Sequence, residues 1–597
     1  MKRHERDSYL VVGEGVYTTE GGVPALRRPS TLAELRKFRF SRLGPKGPDV
    51  DEQVAVALGR AMTPAGRQSS SSIPAGFTYL GQFVDHDLTM DRTAADLGDT
   101  VTVTELLQGR SPALDLDSLY GRGPRGADAR FYAADGVRLK TGTTAAVRID
   151  TGTNRDLEGH DLPRVGAGST RRDRRQALIP DHRNDENLAV AQVHLSFIRY
   201  HNRVVDELAA QGVPGAMLFE AARRSVVKHY QWMLRTDFLP RIVDEEIVDD
   251  VFINGRTIFE VPAVPDYYAP STDGQGGTGT SYTDAAVQPG DRPTMPIEFS
   301  VAAYRLGHSM VRGAYQWNRV FNSTAPLGIA TLFQLFTFSG TSGNLTPTPP
   351  TDLSAFDDPN SGFFERLPTN WVPDFRRLFD FTQIGRADLA APAATGGGNP
   401  AQTIDTLLVN PLATLPSGAF GDIAAAPPVA SLERNLAFRN LVRAGMVNLA
   451  SGQQMADQLG VPQLTADEII TGSGGADLSG LDVDVRNSLI RATPLWFYVL
   501  REAEVNGGVL TGVGGRIVAE VFHRAMEGSD HSIVRDRTWR PSIGNRGDEF
   551  RMADLLLFAF GPGTTGLDPL GDAAPAVPPA PPAPEPVPDE GPLVPTG

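Results

Sequence analysis

Asp85, His86 and Asp87 stand side by side in the stretch "GQFVDHDLTMD" (residues 81–91), flanked by Phe83, Val84 and Leu88. Three ionisable neighbours in apolar company are costly to bury unless each has a partner. An imidazole there can exchange a proton near neutral pH, and a carboxylate can hold a hard cation or an arginine. If the stretch is helical, successive side chains point about 100° apart, so the three face different directions. Gln82, four residues before His86, shares its face. Such a helix offers one imidazole and one amide to a cavity and sends two carboxylates elsewhere. On this stretch alone, a helix start with a structurally satisfied histidine is the readier account.

Four later stretches bear on the choice. "SPALDLDSLYG" sets Ser111, Asp115 and Asp117 at alternate positions, with the carbonyl of Ala113 between them. Oxygen donors at every second residue suit a loop that wraps calcium, which takes about 6–8 oxygens. The loop alone falls short and has room for a distant carboxylate such as Asp87; a polar turn before Tyr120 is the plain alternative. In "PDHRNDEN" Arg183 and Glu186 are three apart, on one face of a helix. As a local ion pair they would contribute little. Arg305 precedes His308 by three in "YRLGH", and Asn440 precedes Arg443 by three in "LAFRNLVRAG". A lone histidine beside glycine is commonly just packed.

The elements that carry these residues read as helices. "DENLAVAQVHLSFIRYHNRVVDELAAQG" repeats apolar side chains at three and four, with Asn184 and Asp185 as cap candidates and Gly212 as its stop. "FEAARRSVVKHYQWMLRTDFLPRIV" follows and breaks at Pro240, and helices are also expected in "MPIEFSVAAYRLGHSMV", "SLERNLAFRNLVRAGMVN" and "TPLWFYVLREAEV". Long irregular stretches separate them, and little alternation marks strands. One large domain is expected over 1–570 with an arm at about 1–40. From Gly571 the Pro- and Ala-rich composition cannot build a core and reads as a disordered tail to 597.

Composition closes off several functions. A net charge of −15 argues against nucleic acid as a partner, since phosphate contacts need a basic surface. No apolar run reaches the ~18 residues of a membrane span, and the first residues lack the apolar core of a signal peptide. With no cysteine there are no disulfides, thiolate metal sites or cysteine nucleophiles. That suits the cytoplasm, or export by a leaderless route.

Taken in order, "GQFVDHDLT", "LDLDSLYG", "HRNDEN", "YRLGH" and "FRNLVRAG" resemble the animal-type haem peroxidases of the peroxidase–cyclooxygenase superfamily, most of all the bacterial members, which lack disulfides. The resemblance runs from about Ser41 to residue 522. It implies a mainly α, loop-rich domain with haem held between helices. By that resemblance His86 is the distal base, Arg183 its distal partner and Gln82 the residue that orders water or halide. His308 is the proximal iron ligand, with Asn440 accepting its other ring N–H. Arg305 and Arg443 meet the haem propionates. Asp87 completes a calcium site with Ser111, Ala113, Asp115 and Asp117. Asp85 and Glu186 match the two carboxylates that form esters to haem b. Three departures stand out: Asp117 adds a carboxylate to the calcium loop, Asn187 replaces the methionine that forms a sulfonium link in myeloperoxidase, and cysteine is absent.

The function implied is reduction of hydrogen peroxide with oxidation of a halide or phenol-type donor, a chemistry that fits a response to oxidative stress. The main rival is a haem-dependent fatty-acid dioxygenase, whose radical tyrosine sits three residues before the proximal histidine. Arg305 holds that position here, with Tyr304 one step earlier. A haem-free, calcium-stabilised binding protein of the same fold is a second rival. A non-haem metal enzyme ranks last, because no second histidine lies at helical spacing from His86.

Overall fold

Periodic apolar faces wind into helices that pack around one continuous interior. The computed structural model describes residues 40–572 apart from 49–50, 68, 94, 104, 148–151, 170, 262–289, 291, 338, 340–364, 416–426, 429 and 545–546, together with two short strands at 17–18 and 25–26. Most of the expected N-terminal arm, and the Pro-rich tail from 573, lie outside the described residues.

The helices of eight residues or more are α1 (Glu52–Ala61), α2 (Gly76–Leu88), α3 (Leu188–Ala210), α4 (Gly215–Met233), α5 (Glu245–Asn254), α6 (Leu436–Met446), α7 (Gly452–Leu459), α8 (Val483–Arg491), α9 (Leu495–Val505), α10 (Gly512–Glu527) and α11 (Met552–Phe560). Strands among the described residues form only two-stranded ladders. The fold is mainly α, as expected. None of the described helices is long and apolar enough to cross a membrane.

Helix α2 is the buried spine of the arrangement. Phe83 stacks on Phe197 of α3 with ring centroids 4.7 Å apart, and meets Tyr230 of α4 edge-on at 6.3 Å. Burying one such ring contributes roughly 1.5–3 kcal/mol. The helix has no side-chain cap at its start, and Thr89 ends it in an extended conformation. Thr89 Oγ1 donates to Asp85 O at 3.1 Å and Oδ1 at 3.0 Å, holding the last turn.

Three local expectations are corrected. Asn184 and Asp185 do not cap α3; they lie in a 3₁₀ turn, His182–Asp185. Asn187 is the cap, its Oδ1 accepting from Val190 N at 2.9 Å. Arg183 does not pair with Glu186 but with Asp181, 2.7 Å away. The stretch holding His308 is no regular helix. It runs through a π turn (Glu298–Ala302), a 3₁₀ turn (Ala303–Leu306) and one helical turn (Gly307–Met310). In a 3₁₀ turn side chains are about 120° apart, so Tyr304 is turned further from Arg305 than helical spacing implies.

Burial fixes the charge state of several histidines. It pushes His194 to about 3, His523 to about 3, and His160, His201 and His229 to about 4. Both ring nitrogens of His194 lack a hydrogen-bond partner among the described residues. These groups bind protons more readily unfolded, near 6.5, than folded. Stability is therefore complete above about pH 6.5 and falls as pH drops toward 3–4. Thermal unfolding between pH 7 and 5 should show Tm decreasing, and His194→Phe should decrease less steeply. Parallel slopes would contradict the assignment.

Candidate active site

On α2 the three ionisable neighbours face apart, each toward a different set of partners. His86 is buried, and its Nδ1 lies 2.9 Å from Asn184 Oδ1. An amide oxygen only accepts, so Nδ1 carries the proton and Nε2 keeps a free lone pair. Burial, followed by the charge of Arg183, pushes His86 down to about 3. The ring is thus a neutral base at physiological pH.

Arg183 is locked beside it. Its Nη2 donates to the His86 carbonyl at 3.0 Å and to Asp181 Oδ2 at 2.7 Å, while Nε donates to Asp181 Oδ1 at 3.0 Å. Arg110 approaches the same carboxylate, with Nε 2.8 Å from Asp181 Oδ2. Burial alone would raise Asp181, but Arg110 and Arg183 hold it well below the usual carboxylate range. Gln82 accepts from Asn187 Nδ2 at 2.9 Å, which ties the amide on α2 to the cap of α3. Asp85 is raised by burial, against the opposing charges of Arg183 and Arg305.

Asp87 points the other way, into the loop before Tyr120. It is fully buried, accepting from Leu116 N at 3.2 Å and from Ser118 Oγ at 3.0 Å. Leu116 takes a left-handed conformation (φ 60°), which turns the loop back over Asp87. Asp87, Asp115 and Asp117 each bring a carboxylate oxygen within 4.8 Å of the other two. Burial and mutual repulsion raise Asp87 well above the ordinary range and Asp117 to about 7. Asp117 Oδ1 makes no hydrogen bond among the described residues, and Arg110 Nη1 is 3.8 Å from it. Ser111 Oγ donates to Asp115 Oδ2 at 3.2 Å, and the Ala113 carbonyl accepts from Asp115 N at 3.0 Å. Hard oxygen donors, buried together with excess negative charge, suit a divalent cation such as calcium.

His308, half-buried, lies on the segment facing α2; the neighbouring Tyr304 hydroxyl donates to Gly81 O at 3.3 Å. Asn440 on α6 approaches His308 with Nδ2, 2.9 Å from Nδ1, while Arg305 Nη1 donates to Asn440 Oδ1 at 2.5 Å. The expected acceptance by Asn440 is therefore reversed here: a guanidinium can only donate, and it takes the amide's one acceptor. Trp496 of α9 packs edge-on to the His308 ring at 6.3 Å. Burial and then Arg443 push Arg305 to about 10, and the same causes push Arg439 to about 10. Arg443 pairs with Asp91. Three crowded guanidiniums on one side of a histidine suit a ligand that brings its own carboxylates.

Glu186 is half-buried and its carbonyl accepts from Ser339 Oγ at 3.0 Å. Sequence reasoning missed Asp181, Arg110, Asn184, Arg439 and Arg292. Arg439 could have been found four residues before Arg443, on the same helical face. Arg292, 177 residues from its partner Asp115, has no local signal.

The sequence pattern of the animal haem peroxidase family matches residues 72–337, which hold Gln82, His86, Asp87, Arg183 and His308. That stretch is a little under half of the chain. Among curated relatives, a peroxidase-like protein of Margaritifera margaritifera is 31% identical over 137 residues, 23% of this chain and 14% of that one. A chorion peroxidase of Aedes aegypti is 29% identical over 139 residues, 23% of this chain and 15% of that one. The match thus spans about a seventh of either relative. Among solved structures, peroxidase A from Dictyostelium discoideum superposes with a TM-score of 0.51 at 16% identity, covering 94% of this chain and 98% of that one. A fatty acid alpha-dioxygenase of Arabidopsis thaliana gives 0.50 at 12% identity, covering 96% and 88%. Both likenesses concern the fold.

If the carboxylate cluster holds a divalent cation, removing it leaves Asp87, Asp115 and Asp117 to repel one another. Chelation should lower Tm and calcium should restore it, whereas Asp115→Asn should blunt the response. Equal Tm with chelator and with calcium would refute the site.

Proposed function

We propose that this chain is a haem-dependent peroxidase that reduces hydrogen peroxide and oxidises a halide or phenol-type donor. The observation that carries this reading is His86: neutral, buried, its Nδ1–H directed to Asn184 Oδ1, and flanked by Arg183. When bound, haem supplies the iron at which peroxide is cleaved. His86 Nε2 takes a proton from the incoming peroxide and returns it to the departing oxygen. Arg183, immobilised by Asp181, places N–H donors where negative charge develops. Gln82, steadied by Asn187, orders water or halide in the same space.

His308 would hold the haem iron, with Arg305, Arg439 and Arg443 receiving the propionates. A propionate on Arg305 would release Asn440 Oδ1 to accept from His308 Nδ1–H, which fixes the tautomer that leaves Nε2 for iron. Asp85 and Glu186 are proposed as ester links to the haem, and Asn187 excludes a sulfonium link. Acid–butanone extraction should leave haem on the wild-type protein and free it from the Asp85→Val/Glu186→Val double variant; full extraction from peroxide-treated wild type would overturn the links. Calcium would be held by Asp87, Asp115 and Asp117 with Ser111 and the Ala113 carbonyl.

The dioxygenase reading draws less support. Arg305 stands where its radical tyrosine belongs, while Tyr304 stacks on Phe299 at 4.7 Å and is hydrogen-bonded to Gly81. A haem-free binding protein gives no reason for three guanidiniums to crowd beside His308 with so few carboxylates among them.

In stopped flow, His86→Ala should slow the reaction of the haem protein with peroxide by about 10²–10⁴-fold. Asn184→Ala should slow it less, because it frees the ring without deleting it. Wild-type rates in His86→Ala would sink the reading.

A further inference from the structure

The cation site contains a guanidinium of its own. Arg292 Nη1 donates to Ser111 Oγ at 3.0 Å and bonds Asp115 Oδ2, both proposed calcium ligands. Its Nη2 lies 3.5 Å from Asp530 Oδ2, outside the cluster. Arg292 is about a quarter exposed and Asp530 largely so, whereas Asp115 is buried. Arg110, the other cation nearby, is fully buried and committed to Asp181.

We propose that Arg292 is a tethered competitor for the cation site, and that calcium displaces it toward Asp530. The inference rests on the reading of Asp87, Asp115 and Asp117 as a cation site. Asp115 Oδ2 cannot give the same lone pairs to a guanidinium and to a divalent ion, and the two positive charges repel at this range. Arg110 cannot yield, because leaving it would strand Asp181 as a buried, half-paired carboxylate. Arg292 can yield, because its stem reaches solvent and Asp530 offers a screened alternative. The extra carboxylate at Asp117 therefore does not simply strengthen the site: Arg292 offsets part of that charge. The arrangement sets calcium affinity below what three carboxylates alone would give. It also lessens repulsion among those carboxylates when the ion leaves.

The test is isothermal titration of the full chain with calcium chloride, with thermal unfolding in chelator and in calcium. Wild type, Arg292→Gln, Arg292→Lys and Asp115→Asn are compared. Arg292→Gln should bind calcium about tenfold tighter or more and should melt lower than wild type in chelator. Its gain in Tm from calcium should therefore exceed that of wild type. Arg292→Lys, which keeps the charge but loses the fork, should fall between the two. A purely structural arginine gives the opposite pattern, weaker calcium binding in Arg292→Gln, and that result or an unchanged Kd overturns the proposal. Calcium binding by wild type that Asp115→Asn abolishes upholds the site itself, whatever Arg292→Gln does. No binding by wild type or Arg292→Gln overturns both.

Discussion

One buried network of charge ties the chemistry of this protein to its fold. Asp181 receives Arg183 on one side and Arg110 on the other. Arg110 reaches toward Asp117, which clusters with Asp115 and Asp87, and Asp87 is the residue after His86 on α2. Charges this deep are tolerable only in mutual compensation, because removing any partner leaves an uncompensated ion in low dielectric. The His86 imidazole and the arginine beside it are thus held by the same set of ions that shapes the loop before Tyr120. Stacking of Phe83 on Phe197 supplies cohesion across α2 and α3.

The surroundings of His308 carry a complementary imbalance. Around Asn440 there are three guanidiniums and, among the described neighbours that act on them, few carboxylates: Asp91 on Arg443, Glu433 near Arg439, and Asp85 across the gap from Arg305. The surroundings of Asp87 have a surplus of acid and those of Asn440 a surplus of positive charge. In the proposed function, a dianionic macrocycle and a divalent cation would answer the two surpluses separately.

Much of this was legible in residue order. Helical spacing located α3, α6 and α9, α2 was only supposed helical, and the alternation of Ser111, Asp115 and Asp117 located the loop. The losses have physical causes. Asn187, not Asn184, caps α3, because His182–Asp185 close a 3₁₀ turn that spends Asn184 on His86. The π and 3₁₀ turns around His308 arise where Glu298, buried, accepts from Leu43 N and Gly44 N at 2.9 and 3.0 Å, a contact spanning 255 positions. The orientation of the Asn440 amide follows from Arg305, and the presence of Arg292 in the cation loop follows from tertiary packing. Neither is written in spacing.

The central claim is that the cation loop positions His86 through α2. A double-mutant cycle tests it most directly: the rate constant for peroxide reaction is measured for wild type, Asp115→Asn, His86→Ala and the double variant, all loaded with haem to the same extent. If the loop acts through His86, Asp115→Asn should slow wild type severalfold but change the His86→Ala protein little, giving strong non-additivity. Equal slowing in both backgrounds would show that the loop and the imidazole act independently, and the account would be wrong.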